Sequence, residues 1–226
     1  MVRVIGLILL TIVISSFNIS ETKNYFEGTV TYQLSYKPIH ENATVAFLEE
    51  NYGVIEIMHY KNGFYKKISL NRKGDTVKTI VHNPITKMMY GTHILSGDTI
   101  MKYSSLDNIM KGYKKTKVTN EQVLGYKTYG IQLDYEISQD FVLYGIENQV
   151  MTYYFSKKLK IDSENHKNQK DGFYNEIINE NPYLILKSVD DDKFIKIETK
   201  TAFKIKEDEI DDSIFEIDGS KPIIKI

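Results

Sequence analysis

The chain has 226 residues, 42% of them hydrophobic, a size at which one domain buries roughly 70–75% of its unfolded surface. Its 29 Lys+Arg against 30 Asp+Glu leave a formal net charge of −1, so no global field draws in nucleic acid or anionic lipid, and no nucleic-acid partner is expected. There is no Cys, which excludes disulfides and a lipidated N-terminal thiol, whereas Tyr is abundant at 17 with Phe at 10, and such aromatics suit a pleated surface buried on one side.

The N-terminus reads Arg3, then the apolar run Val4–Ile14, then Ser15-Ser16. This is a secretory signal layout, too short to span a bilayer comfortably, since a crossing helix needs about 20 apolar residues. The expectation is an exported chain, periplasmic or secreted and peripheral to the membrane at most. A signal peptide over 1–20, cleaved near residues 15–20, precedes a single β domain over 25–226.

Gly28–Tyr36 alternates strictly, with Val30, Tyr32, Leu34 and Tyr36 on one face and Thr29, Thr31, Gln33 and Ser35 on the other. That is a strand with one buried and one wet side. Pro38 ends it, and Asn42–Tyr52, with Val45, Leu48 and Tyr52 at helical spacing and Asn42 as cap, predicts a short helix. From Gly53 to Ser104, strand-like runs are cut by Lys61-Asn62-Gly63, Asn71–Asp75, Asn83–Thr86 and Ser96-Gly97-Asp98, residues that turn a backbone, and the stretch reads as an antiparallel meander. Phe64, Ile68 and Leu70 share a face with Lys66, and neither side of the meander is purely polar. Its concave side therefore needs a cover, either helices of the same chain or a bound apolar partner.

Ser104–Tyr113, with Leu106, Ile109, Met110 and Tyr113 on one helical face, predicts such a covering helix. Strands are predicted over Thr128–Ile137, with Tyr129, Ile131, Leu133, Tyr135 and Ile137 inward, and over Val150–Ser156, with Ser138–Asn148 as a long hairpin loop or an edge between them. Lys157–Asn181 is polar, with little to bury, and reads as surface loop with one helical turn. Tyr183–Asp190 and Phe194–Ile205 close the sheet through an acidic turn, with Ile195, Ile197, Thr199, Thr201, Phe203 and Ile205 sharing a face of the second strand.

No nucleophile elbow, Cys nucleophile, phosphate-binding Gly-rich loop or His-Glu-x-x-His helix occurs, so no catalytic residue is named and the expectation is a non-enzymatic protein. The five histidines, His40, His59, His82, His93 and His166, lack ligand spacing, and Asp190-Asp191-Asp192 lacks the Gly and distal Glu of a calcium loop, so neither metal nor cofactor is expected. Met58, Met88, Met89, Met101, Met110 and Met151 suit either ordinary core packing or a pliable ligand lining.

Tyr25–Tyr32, Leu124-Gly125-Tyr126-Lys127-Thr128-Tyr129, Tyr153-Tyr154-Phe155-Ser156 and Asp212–Ile217, in this order, resemble the DUF4412 family of exported Bacteroidota proteins, related to the lipoprotein-carrier LolA/LolB-like superfamily. The chain departs from that pattern at Thr128, where relatives commonly carry Cys, and at Asp218, where they often carry Pro. The resemblance implies a mainly β fold: a curved antiparallel sheet forming an incomplete, half-open barrel of LolA-like shape with a few short covering helices. It also implies a lipid, a lipoprotein acyl chain or another hydrophobic ligand in the concavity. The alternative is an envelope structural or protein-interaction module with a self-filled core. Phe64, Ile68, Val81, Met88, Met101, Tyr129, Ile131 and Leu133 are the expected ligand-lining residues.

Overall fold

The computed structural model describes residues 25–138 and 148–225. The expected signal segment lies outside them, as does most of the Ser138–Asn148 connection. The chain runs β1 (Gly28–Pro38), α1 (Val45–Tyr52), β2 (Ile55–Lys61), β3 (Phe64–Leu70), β4 (Thr76–Asn83), β5 (Met88–His93) and β6 (Ile100–Ser104). It continues through β7 (Met110–Val118), β8 (Gln122–Val123), β9 (Tyr126–Ile137), β10 (Asn148–Lys160), α2 (Tyr174–Glu180), β11 (Tyr183–Asp191), β12 (Lys196–Glu207) and β13 (Ile223–Lys225).

Among the described residues the strands form one sheet in the order β13-β6-β5-β4-β3-β2-β1-β12-β11-β10-β9-β7, with β8 paired to β9. All pairings are antiparallel except that of β13 with β6. The sheet is curved and does not close, and the mainly β fold class read from the sequence holds. β6 and β7 are consecutive in the chain yet belong to opposite arms of the sheet and do not pair. The gap between them is filled by chain from elsewhere: Lys170 N–H donates to the Ser105 carbonyl (2.7 Å) and Gly172 N–H to Asn108 Oδ1 (3.2 Å).

Strand alternation sets the inner face. Val30, Tyr32 and Leu34 of β1 are buried as their spacing predicts. The register carries that face across the sheet as rows, Val30–Met58–Lys67–Ile80 on one arm and Ile131–Tyr153–Ser188–Lys200 on the other. The Gly53–Ser104 meander is present as β2–β6, and Asn62 and Gly63 turn its first hairpin at φ 47° and 83°. The helix predicted over Asn42–Tyr52 is α1, capped by Thr44 rather than Asn42: the Thr44 hydroxyl accepts the Phe47 N–H at 3.1 Å.

Three expectations are corrected. Ser104–Tyr113 is not a helix: β6 runs through Ser104, Asn108 Oδ1 accepts the Met110 N–H, and β7 then pairs with β9, placing Tyr113 opposite Tyr135. The apolar spacing there is coincidental, and sheet pairing overrides it. Lys157–Asn181 is not a surface loop. β10 continues to Lys160, and Leu159, Ile161, His166, Gln169, Ile177 and Ile178 are all buried as the segment lies against the inner face. Finally, the alternation of the last long strand breaks at a bulge between Thr31 and Tyr32 of its β1 partner. Beyond it the inward side of β12 carries Lys196, Glu198, Lys200 and Ala202, whereas Phe203 is exposed.

The outer face of β3 and β4 is covered separately. Ile210 and Phe215 of the C-terminal tail form a second small core with Val81, against which Phe64 and Tyr90 pack. Lys61 and Lys66 donate to the tail carbonyls of Ile210 and Ile214 at 2.8 and 2.9 Å. Because α2 is an inner cover, Ile178→Ala costs about 2–5 kcal/mol in urea unfolding. A surface loop at this position would lose under about 0.5 kcal/mol, and that result would refute the inner placement.

Candidate functional site

Between the inner face and the 161–174 segment lies a cavity of about 330 Å³. Both arms of the sheet contribute to its wall, with Met58, Met89, Met110 and Met151 supplying adaptable apolar surface. Tyrosines from both arms and the cover, among them Tyr32, Tyr65, Tyr103, Tyr135, Tyr153 and Tyr174, supply ring faces and hydroxyls. Burial pushes the phenols of Tyr32, Tyr65 and Tyr153 well above their ordinary range and that of Tyr103 up to about 12, so all stay neutral hydrogen-bonding groups at physiological pH.

A buried polar relay seats the cover. Gln169 Nε2 donates to the Tyr65 hydroxyl (2.9 Å), which leaves Gln169 Oε1 as acceptor for His166 Nδ1 (3.0 Å). His166 therefore carries its proton on Nδ1, and its Nε2 accepts from the Tyr60 hydroxyl at 3.0 Å. The Tyr65 hydroxyl passes its own proton towards Met89 Sδ at 3.6 Å. His82 stacks between, 5.0 Å from the Tyr65 ring and 5.9 Å from His166, and its Nδ1–H donates to the Gly63 carbonyl (2.9 Å). Desolvation holds both imidazoles down at about 4, with the Gly63 carbonyl and Gln169 opposing it and Lys67 adding to it. Past the relay, Gly172 and Phe173 both take left-handed backbone, φ 58° and 56°. That conformation is unfavourable for Phe, and the ring is held by Tyr113 at 4.9 Å and Tyr135 at 6.5 Å.

The cavity wall also carries charge. Glu56 and Lys200 pair at 3.0 Å, both nearly buried. Burial alone would raise the Glu56 carboxyl, but Lys200 and Lys67 outweigh it and hold it below the usual range. Lys67 is different. Among the described residues its ammonium makes no hydrogen bond or ion pair, and its Nζ lies 4.6 Å from the Tyr65 ring centroid. Desolvation, with Lys200 adding repulsion, brings its ammonium down to about 8. Asp171 also lines the cavity, without an ion pair among the described residues, and burial pushes its carboxyl up.

The residues named from the sequence lie elsewhere than on this wall. Phe64 and Val81 are under the C-terminal tail on the outer face. Ile68, paired with Ile57 and Thr79, and Met88, paired with Asn83 and Ser104, share that outer side. Met101 faces inward opposite Gly91, beyond the cavity, and Tyr129, Ile131 and Leu133 pack in the main core. Sequence reasoning passed over Lys67, Asp171, Gln169 and the inward tyrosines of β3 and β10. The available signal was parity: Tyr65 and Lys67 alternate with Phe64, Lys66 and Ile68 on the other face. Among the described residues no group of three or more His, Asp or Glu is gathered that could hold a metal ion.

Solved structures similar to the chain include PNGF-II, at 15% identity and a TM-score of 0.46 over 89% of this chain and 31% of that one. MucB is similar at 10% identity and a TM-score of 0.40, over 89% and 60% of the two chains. A domain described as an outer membrane lipoprotein-sorting protein, from Vibrio parahaemolyticus, is similar at 8% and 0.36, over 87% and 92%. The chain thus spans 31% of the length of the PNGF-II structure. No family model matches the chain, and no curated protein does.

Two pH effects follow. His82 and His166 titrate near 6.5 when unfolded and near 4 when folded, so their contribution is full above pH 6.5 and is lost as pH falls through 4. Urea unfolding between pH 7.5 and 4 is expected to show a loss of about 3 kcal/mol per imidazole, and His166→Gln is expected to roughly halve that slope, His82 keeping its share. Lys67 acts in the same direction at higher pH: protonated in both states below pH 8, it costs the fold about 3 kcal/mol there, and the cost vanishes as pH rises to 10.5. Lys67→Met is accordingly more stable than wild type at pH 7, and the two converge by pH 10.5.

Proposed function

We propose that this is an exported, non-enzymatic binding protein that holds a lipid or other hydrophobic ligand between its curved sheet and its inner cover. The observation that carries the reading is the cavity of about 330 Å³, walled by methionine, isoleucine, leucine and tyrosine from both arms of an unclosed sheet. Its volume is at the lower end of the roughly 300–1,000 Å³ of small-molecule sites. Apolar wall left in contact with water gains about 25 cal/mol per Å² when a hydrocarbon chain covers it. Export rests on Arg3 and the apolar run after it.

A second reading, docking of an envelope protein partner, is favoured by the end of the sheet around α1. There His40 packs on Phe194 (5.7 Å) and Tyr52 on His93 (5.8 Å), and Ile39, Phe47, Phe194, Ile94 and Leu95 are exposed around them.

Native mass spectrometry of the protein isolated from its own cell envelope tests the first reading. The expected result is a solvent-extractable lipid mass on the folded chain, replaced on addition of a hydrophobic fluorophore. Bare protein that also fails to take up the fluorophore overturns it and favours docking at the α1 end.

A further inference from the structure

We propose that the cavity selects a single-chain amphiphile with an anionic head, seated on the Lys67 ammonium, with its chain running along the methionine wall. This rests on the reading of the cavity as a hydrophobic-ligand site and adds the chemistry of the ligand's head.

An ammonium turned into a cavity gives up part of its hydration, and folds keep such a charge where something compensates it. Lys200 is compensated by Glu56 at 3.0 Å, and Lys196 by Glu198 at 3.1 Å. Among the described residues Lys67 has no ion-pair partner, and its ammonium lies over the face of Tyr65, 4.6 Å away. Its position is fixed by the sheet: β3 is paired on both sides, and Lys67 sits between Met58 of β2 and Ile80 of β4, so the head site adjoins apolar wall.

The surrounding charges do not neutralise it. At Lys67 the repulsion from Lys200 outranks the attraction of Glu56, and that of Lys78 outranks the attraction of Asp171. His82 and His166 are neutral above pH 6.5, and burial keeps the Tyr65 phenol neutral as well. The site therefore has a positive potential inside an apolar pocket, which favours an anion joined to hydrocarbon over a neutral lipid. Its volume of about 330 Å³ suits one chain better than several.

The test uses the full delipidated chain in isothermal titration calorimetry at pH 7, with decanoate, decanol and inorganic phosphate as probes. Wild type is expected to bind decanoate at least about tenfold more tightly than decanol, the scale of one charge-assisted hydrogen bond, and to bind phosphate weakly. Lys67→Met loses that preference and keeps its affinity for decanol, while Lys114→Met, at an exposed site on β7, leaves both unchanged. Lys67→Gln is read the same way, and circular dichroism checks that each variant folds. Equal binding of decanoate and decanol by wild type, or a preference that survives in both Lys67 variants, overturns the anionic-head proposal and leaves the hydrophobic-ligand reading standing. Phosphate bound as tightly as decanoate also overturns the proposal, in favour of a free-anion site. Binding of no probe overturns the hydrophobic-ligand reading and the proposal with it.

Discussion

The hydrogen-bond relay Tyr60–His166–Gln169–Tyr65 is the contact on which the rest of this structure depends. A sheet that stops short of closure has an inner face that water must not reach, and this chain meets the demand by folding its own 161–182 segment back against that face. The segment brings Ile161, Ile177 and Ile178 to the core, but the relay fixes where it sits. His166 and Gln169 each have both a donor and an acceptor role assigned, so burying them leaves neither unsatisfied. The same segment then crosses the β6–β7 gap, where closure of the barrel would otherwise be needed.

Hydrogen bonds and hydrophobic contacts do different work in that arrangement. Apolar packing is non-directional and collapses toward native density, so a cover held by it alone would sink into any space beneath it. A relay of fixed donor and acceptor distances holds the cover at a set height above β2 and β3. This is consistent with a cavity of about 330 Å³ beside a well-packed core around Phe155, Leu133 and Leu186. The outer cover combines both: Phe215 meets Phe64 with ring centroids 5.6 Å apart, while Lys61 and Lys66 hold the tail carbonyls of Ile210 and Ile214.

Strand alternation and turn chemistry carried most of the sheet in the sequence. Val30, Tyr32 and Leu34 declare a buried face with a period of two, and Lys61-Asn62-Gly63 declares a hairpin, because both signals are local. The inner cover was illegible for the complementary reason. His166 and Gln169 look like solvent-facing residues in a polar run, and their partners Tyr60 and Tyr65 lie 106 and 104 residues away. Lys157–Asn181 therefore has too few apolar residues to signal a core segment, although its buried polar ones are fully matched.

The cavity was hidden by a subtler ambiguity. On β3 the pattern separates Phe64, Lys66 and Ile68 from Tyr65, Lys67 and Ser69, and hydrophobicity favours turning the first set inward. That rule presumes a sheet with one covered face. Here the C-terminal tail covers the outer side of β3 and β4, so the more apolar set is buried there, and the inner side is free to carry tyrosines and a lysine. The two covers are thus linked through side-chain parity. By taking Phe64 and Val81 onto the outside, the tail leaves Tyr65 and Lys67 facing the cavity, and the chemistry of the inner wall is set in part by what lies against the outer one.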